Sequence, residues 1–566
     1  MGSPRAAVRQ AQRCGLLPDI LAAGLCLATL LAAARVSTVV FDRLPHVEDE
    51  VAFLFQAKII GSGRLVAPAP AHPEFFAIPF ILVRDGQWFG KFPPGWPAVL
   101  ALGALAGRPW LVNPLLAAAC VGLVYRAGRR LYGAPTGLLA AALLAASPFF
   151  LLHAGSFMGH VAALLWALAF LLLFAAAVST GSRWAALGAG ATLGMLLLTR
   201  PLTAVGIGLP YALWAAVAII RDRRRARAYL PMLLGFAPFV AALLAWNRLT
   251  TGDPFRSAYE LYWPFDRVGF GAGIGAAGDF TAAQGLANTR GFLAALADYL
   301  FGWPHRLSLV PATLATALAA GRLGRRGARR LWGTTAGNGE EPPGVARSAA
   351  TPPEAWDLLH AGVAASLVAV HVAYWNDVTV YGPRYYFEAL GALTLLSARG
   401  LVQAADLAAV FLRRVALASR RLSAWSAASM PASTAASGCP AWRRPRAWTA
   451  AAMLLIAGGL TLHGLLTFAP REFRRFTRFY NIDGSGVRAV RAAGLTNAVV
   501  FVTSPQQPDY AWPDYAPFFC QNAPTLDSPV VYAEDLGDSR NRELMAQYPG
   551  RAFYRYAQGR LAPLSP

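Results

Sequence analysis

One pattern repeats along most of this chain: an apolar run close to the length of a membrane-crossing helix, then a break that often holds arginines. Lipid offers backbone N–H and C=O groups no partners, so such runs must fold as helices that satisfy their own hydrogen bonds. The runs are Leu17 to Val40, Trp110 to Val124, Gly137 to Leu152, Val161 to Val178, Trp184 to Leu198, Leu202 to Ile220, Tyr229 to Trp246, Leu307 to Ala320, Leu358 to Tyr374, Tyr385 to Val402 and Ala450 to Phe468. A mainly α, polytopic membrane bundle of about eleven spans is expected. A further run, Pro97 to Ala106, is too short to cross at about 1.5 Å per residue and reads as re-entrant or interfacial. With 56% hydrophobic and 14% charged residues over 566 positions, an ordinary soluble protein is excluded.

Short cytoplasmic loops collect basic residues. With Arg5, Arg9 and Arg13 inside, eleven spans bring Arg126, Arg129 and Arg130, then Arg221 to Arg227, Arg322 to Arg330 and Arg413 to Arg446 to that same side. The formal charge of +22 thus follows from topology, and the alternation of basic clusters with spans argues against nucleic-acid binding. The first run is long, has a basic flank and shows no small-residue cleavage site, so it is expected to remain as an anchor. These features describe a multi-pass membrane protein with a cytoplasmic N-terminus, and the arginine-rich composition, which suggests a high-GC genome, points to the bacterial plasma membrane. Of Cys14, Cys26, Cys120, Cys439 and Cys520 only the last falls outside, and no spacing suits zinc.

Four pieces face outward on this topology: the loop from Phe41 to Gly95, a turn at Ser156 to His160, a long loop from Asn247 to Arg306, and the segment after Pro470. Residues 1–470 read as the membrane domain and residues 471–566 as a small extracytoplasmic α/β domain, in which NAVVFV and SPVVYA suggest buried strands. Gly321 to Trp356 and Leu412 to Arg446 read as flexible linkers.

The first outer loop concentrates charge. It holds Glu48, Asp49 and Glu50 in HVEDEVAF, then Lys91, Pro93 and Pro94 in GKFPPGW; Lys58 and Lys91 are the only lysines among 51 basic residues. Carboxylates and a lysine kept beside spanning helices point to recognition or chemistry. Val51, Leu54, Phe55 and Ile59 recur at helical spacing, which predicts an amphipathic helix lying on the membrane surface. Its acids could simply favour a helix N-terminus; alternatively one of them takes a proton from an acceptor hydroxyl. The two prolines after Lys91 confine its ammonium, although a snorkelling lysine would look the same.

Arg200 in LLLTRPL sits where two spans meet, and Arg384 in YGPRYYFEAL stands beside Tyr385. Near lipid each needs an anion, either a headgroup or a ligand phosphate; two guanidinium forks and an ammonium on one face would hold a phosphate. His153 and His160 flank the second turn and read as structural, or as base or metal ligand. Gly273, Gly275 and Gly278 match GxGxxG but follow no strand, so they read as loop. Asp266 is one of several acids in the long loop with no assigned task, and Trp88, Phe89, Tyr262 and Trp263 are rings on which a sugar could stack.

Taken in order, the acidic pair, the Lys-Phe-Pro-Pro stretch, the Thr-Arg-Pro junction and GPRYY resemble the polytopic GT-C glycosyltransferases, within them the protein O-mannosyltransferase and lipid A aminoarabinose transferase branch, from Leu17 to Gly400. The resemblance implies inverting transfer of a sugar from a polyprenyl-phosphate donor to a hydroxyl of a glycan, lipid or protein at the outer face. On it, Asp49 is the catalytic base with Glu50 its companion, and Lys91, Arg200, Arg384 and Tyr385 meet the lipid phosphate. Glu48, His160, Trp263 and Asp266 are further substrate-binding candidates. Ser156 to His160 lack the acid that many relatives carry in this turn, which leaves a divalent metal open; no other cofactor is expected. The alternative is a transporter or flippase for a lipid-linked or anionic solute, which calls for ionisable residues deep inside spans. A third reading is a noncatalytic protein whose C-terminal domain binds a partner.

Overall fold

The computed structural model describes residues 4–332, 351–427, 445–504 and 512–565. Helix α1 (Pro4–Val39) is followed by α2 (Glu48–Gly61), a small sheet of β1 (Ala67–Pro68), β2 (Ile81–Arg84) and β3 (Gln87–Gly90), and the short α3 (Gly95–Leu105). Then come α4 (Val112–Tyr132), α5 (Ala134–Ala145), α6 (Pro148–Gly155), α7 (His160–Thr180), α8 (Arg183–Thr199), α9 (Pro201–Arg221) and α10 (Ala226–Thr251). A loop with α11 (Ala258–Tyr262) and the hairpin of β4 (Gly271–Ala272) and β5 (Asp279–Phe280) leads to α12 (Ala282–Tyr299). The bundle closes with α13 (Val310–Trp332), α14 (Pro353–Val372), α15 (Leu390–Ala427) and α16 (Pro445–His463).

This is a multi-pass membrane protein. Among the described residues nine helices are long and apolar enough to cross a bilayer, or ten if the bent pair α5 and α6 is one span. The expected eleventh is α8, which at 17 residues is the shortest of the set and packs against α7 and α10. The pair α5 and α6 bends by 60° at Ser147 and Pro148, because a residue before proline is pushed out of the helical region. Ser147 Oγ then caps α6 by accepting from Phe150 N at 3.3 Å. Ile20, Leu233 and Leu455 face outward on α1, α10 and α16, as contact with lipid requires. The two expected linkers fall partly outside the described residues; α13 and α15 carry helix on to Trp332 and Ala427, through sequences rich in the helix formers alanine, leucine and arginine.

Helix α2 departs from expectation. It does not lie amphipathic on a membrane surface: Val51, Ala52, Phe53, Leu54, Phe55, Ala57 and Ile59 are all buried. Apolar residues on every face are the mark of an enclosed helix. Helix α3 and strand β3 pack on α2, and so does the C-terminal domain, where the rings of Phe55 and Phe519 lie 5.5 Å apart.

That domain runs through α17 (Ala469–Phe476), α18 (Ser485–Ala492), β6 (Ala498–Val502), α19 (Trp512–Phe519), β7 (Val530–Glu534), α20 (Asp538–Met545), β8 (Ala552–Ala557) and β9 (Arg560–Pro563). Strand β6 is central and parallel to both β7 and β8, with β9 antiparallel at the edge. Every residue of β6 is buried, which suits the continuous apolar run of a covered parallel strand.

Candidate active site

Three interruptions of regular structure carry basic side chains to one place. Strands β2 and β3 reverse at Asp85 and Gly86, with φ of 49° and 73°, as a two-residue hairpin requires; the hairpin delivers Lys91. Gly95 then opens α3, and a Cβ there would lie 2.5 Å from the carbonyl carbon of Leu198, so glycine alone allows α3 this close to α8. Arg200 stands at the break between α8 and α9 with φ −148° and ψ 89°, held extended by Pro201. Arg384 follows a turn at Tyr381 and Gly382, where φ is 58° and 95°.

These elements and the start of α2 enclose a cavity of about 650 Å³. Glu48, Asp49, Lys91, Arg200, Arg384 and Tyr385 line it together with Trp263, Asp266 and Tyr374, and Leu197, Leu202, Val205 and Leu243 extend it along the spans. Arg384 Nη1 lies 3.8 Å from Asp49 Oδ2, and Arg384 Nη2 donates to the Tyr385 hydroxyl at 3.4 Å. Lys91 is 4% exposed. Its ammonium rests 3.5 Å from the ring centre of Phe80 and 4.6 Å from that of Trp263, with Asp266 Oδ2 at 3.7 Å. Burial pushes the Lys91 ammonium down to about 8, against the opposing pull of the Asp49 and Asp266 charges. Asp266 in turn accepts from Trp375 Nε1 at 3.0 Å and from the Tyr374 hydroxyl at 3.2 Å. Burial pushes the Glu48 carboxyl up to about 7, and the neighbouring Asp49 charge adds to the rise.

Two expected residues stand behind the cavity wall. A helix turns about 100° per residue, so three consecutive acids cannot all face one space, and Glu50 points into the protein with 0% exposure. It accepts from His46 N at 2.7 Å and Phe157 N at 3.0 Å, and faces the Tyr381 hydroxyl at 3.5 Å. Glu50 therefore ties α2 to the second turn and to the turn before Arg384, and does not line this cavity. Burial pushes its carboxyl up to about 7, although both backbone donors oppose the rise. His160 is likewise enclosed: its Nε2 faces Arg200 Nη1 at 3.3 Å and its Nδ1 faces Glu388 Oε1 at 3.1 Å.

Among the suggested rings, Trp263 lies under Lys91, whereas Trp88 packs on Phe55 and Phe519, and Phe89 on Trp246. The hairpin folds back on α2 and uses these two as filling. Sequence reasoning missed Glu388, whose Oε1 lies 3.2 Å from Arg200 Nε. An acid in the apolar run from Tyr385 to Val402 was the available signal.

Among the described residues the histidine and carboxylate group close enough to share an ion is His72, Glu74 and Glu543. It lies outside the cavity, and Arg540 Nη2 meets Glu74 at 2.6 Å. Within the cavity Asp49, Asp266 and Glu260 face Arg384, Lys91 and Arg267.

Residues 102–246 match the family model described as dolichyl-phosphate-mannose-protein mannosyltransferase. The chain is similar to the GT-C glycosyltransferases. The GT-C match runs from α3 into α10 and takes in His160 and Arg200; residues 498–563 match a model described as a domain of unknown function. The structure of ArnT from Cupriavidus metallidurans bound to undecaprenyl phosphate is similar with a TM-score of 0.46 at 14% identity, covering 95% of this chain and 92% of that one. The archaeal oligosaccharyltransferase AglB from Archaeoglobus fulgidus, in complex with an inhibitory peptide and a dolichol-phosphate, gives 0.45 at 12% identity, covering 94% and 69%. No curated protein matches the chain in sequence.

Proposed function

We propose that this protein is an inverting glycosyltransferase that moves a sugar from a polyprenyl-phosphate donor to a hydroxyl acceptor at the outer face of the bacterial plasma membrane. The observation that carries the reading is one cavity that joins the carboxylate of Asp49 to Lys91, Arg200 and Arg384, each from a different stretch of chain. The family description names a dolichyl-phosphate donor, which supports a polyprenyl-phosphate carrier, and the leucines of α8, α9 and α10 suit its hydrocarbon.

The step is a single displacement. The acceptor oxygen bonds to the anomeric carbon as the bond from that carbon to the phosphate oxygen breaks; the proton passes to Asp49 and the polyprenyl phosphate leaves with the electron pair. A base so placed contributes about 10²- to 10⁴-fold. Arg384, at 3.8 Å, orients Asp49. Lys91, Arg200 and Arg384 meet charge that grows on the departing phosphate, where fixed cations in a dry site act most strongly.

Among the described residues, buried carboxylates of the spans lie toward span ends: Glu388 opens the Arg384–Ser419 segment and Asp357 sits in the first turns of α14. This placement supports transfer at a face over a transport path through the middle. The test is purified protein in vesicles with a radiolabelled polyprenyl-phosphate sugar and a cell-envelope acceptor fraction. Label in a glycosylated product is expected; label that crosses the bilayer still on its lipid overturns the reading in favour of a flippase.

A further inference from the structure

Helix α2 opens with Glu48 and Asp49 and lies outside the spans; besides Glu50 and the packing of α3 and β3, a second set of contacts reaches it from the far end of the chain. The C-terminal domain and the segment leading into it touch the α2 region at three points. Before α2, Asp42 Oδ2 accepts from Gly484 N and Arg488 Nη1, each at 2.8 Å, and His46 Nε2 lies 3.1 Å from the Ile482 carbonyl. Midway, the ring of Phe55 meets Phe519. At the far end Lys58 Nζ donates to the carbonyls of Cys520 at 2.5 Å and Asn522 at 2.8 Å.

Lys58 has no carboxylate within ion-pair distance among the described residues. Cys520 directly follows α19, so the ammonium sits at the carbonyl end of that helix, where the helix dipole favours a cation. A partly buried ammonium held only by backbone carbonyls is costly unless its place is fixed. The preceding segment also supplies Tyr480 to the cavity wall, and Phe501 packs on Phe75 beyond α2.

We propose that the C-terminal domain is a clamp that sets where α2, and therefore Asp49, stands in the cavity, and that Lys58 is its positioning residue. This rests on the transferase reading and assigns a task to the region that matches only a model of unknown function. Lys91, Arg200 and Arg384 are mounted on other elements, so a slackened clamp misplaces the base and leaves the donor's phosphate held. A misplacement of about 1 Å costs roughly 10²-fold in rate.

The test is full-length Lys58→Met in lipid nanodiscs, which keeps the apolar stem and removes the charge. A fall in kcat of about 10- to 100-fold is expected, with KM for the polyprenyl-phosphate sugar within about twofold of wild type. Backbone hydrogen exchange should rise along α2 with that of the spans unchanged, and Lys58→Arg, which still reaches two carbonyls, should recover most of the turnover. Wild-type turnover in Lys58→Met overturns the clamp, and so does a joint fall of kcat, donor affinity and thermal midpoint. If wild-type protein transfers no sugar, the transferase reading fails on its own; exchange along α2 that Lys58→Met leaves unchanged then overturns the clamp separately.

Discussion

Helix α14 carries buried charge near both of its ends, and the two clusters are built differently. At its C-terminal end, Tyr374 borders the cavity, where Lys91 and Asp266 stand 3.7 Å apart and Arg384 and Asp49 3.8 Å apart. Both separations exceed hydrogen-bond length, and both cations line the cavity. Toward its N-terminal end, about 25 Å away at 1.5 Å per residue, Asp357 is 0% exposed and faces Arg399 Nε at 3.5 Å. Arg399 lies over the ring of Tyr132, whose hydroxyl is 3.0 Å from His360 Nδ1. None of these four lines the cavity. Asp357, Arg399, Tyr132 and His360 thus lie among α4, α14 and α15 away from the cavity, whereas Lys91 and Arg384 line it.

Substitutions can break or sharpen that contrast. The largest effect is expected from Arg399→Leu, which leaves Asp357 buried and unpaired at a cost of about 3–5 kcal/mol. It should appear as a lowered thermal midpoint with donor KM unchanged in the folded fraction; an unchanged midpoint would erase the distinction between the clusters. Lys91→Met should raise donor KM about 10- to 100-fold, the scale of a lost hydrogen bond to a charged group, and lower the midpoint less than Arg399→Leu does, because Asp266 keeps its bonds from Trp375 Nε1 and the Tyr374 hydroxyl.

The titration of Lys91 gives the same contrast without a substitution. Burial has brought its ammonium down to about 8, so the charge is present below that pH and lost as pH rises through it. Donor affinity of the wild type should weaken across that interval, and a flat response from pH 7 to 9 would remove Lys91 from the phosphate. The smallest effect belongs to Glu48→Gln. With its carboxyl pushed up to about 7, Glu48 is anionic above that pH and protonates as pH falls through it. The variant should lose that part of the acid limb and change the rate at pH 8 by less than about tenfold; an unaltered limb would mean that Glu48 has no part in the reaction.

The bundle was legible because the bilayer imposes a length and a polarity on each run, and proline marked the breaks at Arg200 and after Lys91. Arg200 and Arg384 could be picked out as charges that lipid does not tolerate without a partner, and Asp49 among three adjacent acids by the family resemblance. Which partner each one has was not legible: Lys91 meets Asp266 from a distant loop, and Arg200 rests on Glu388, a single acid in an apolar run. Helix α2 misled for a related reason. Val51, Leu54, Phe55 and Ile59 do share a face, but Ala52, Phe53 and Ala57 fill the others, and part of what encloses them lies at the far end of the chain, beside Phe519 and Cys520. Glu50 then turns inward with the pitch of the helix, which adjacency in sequence conceals.

The most direct measurement is Asp49→Asn, which keeps the side chain's shape and removes its capacity to take a proton. Sugar transfer and donor binding are read on one preparation in lipid nanodiscs. Transfer reduced about 10²- to 10⁴-fold with donor bound as tightly as by wild type is predicted; transfer at the wild-type rate would contradict the assignment of Asp49 as the base of this cavity.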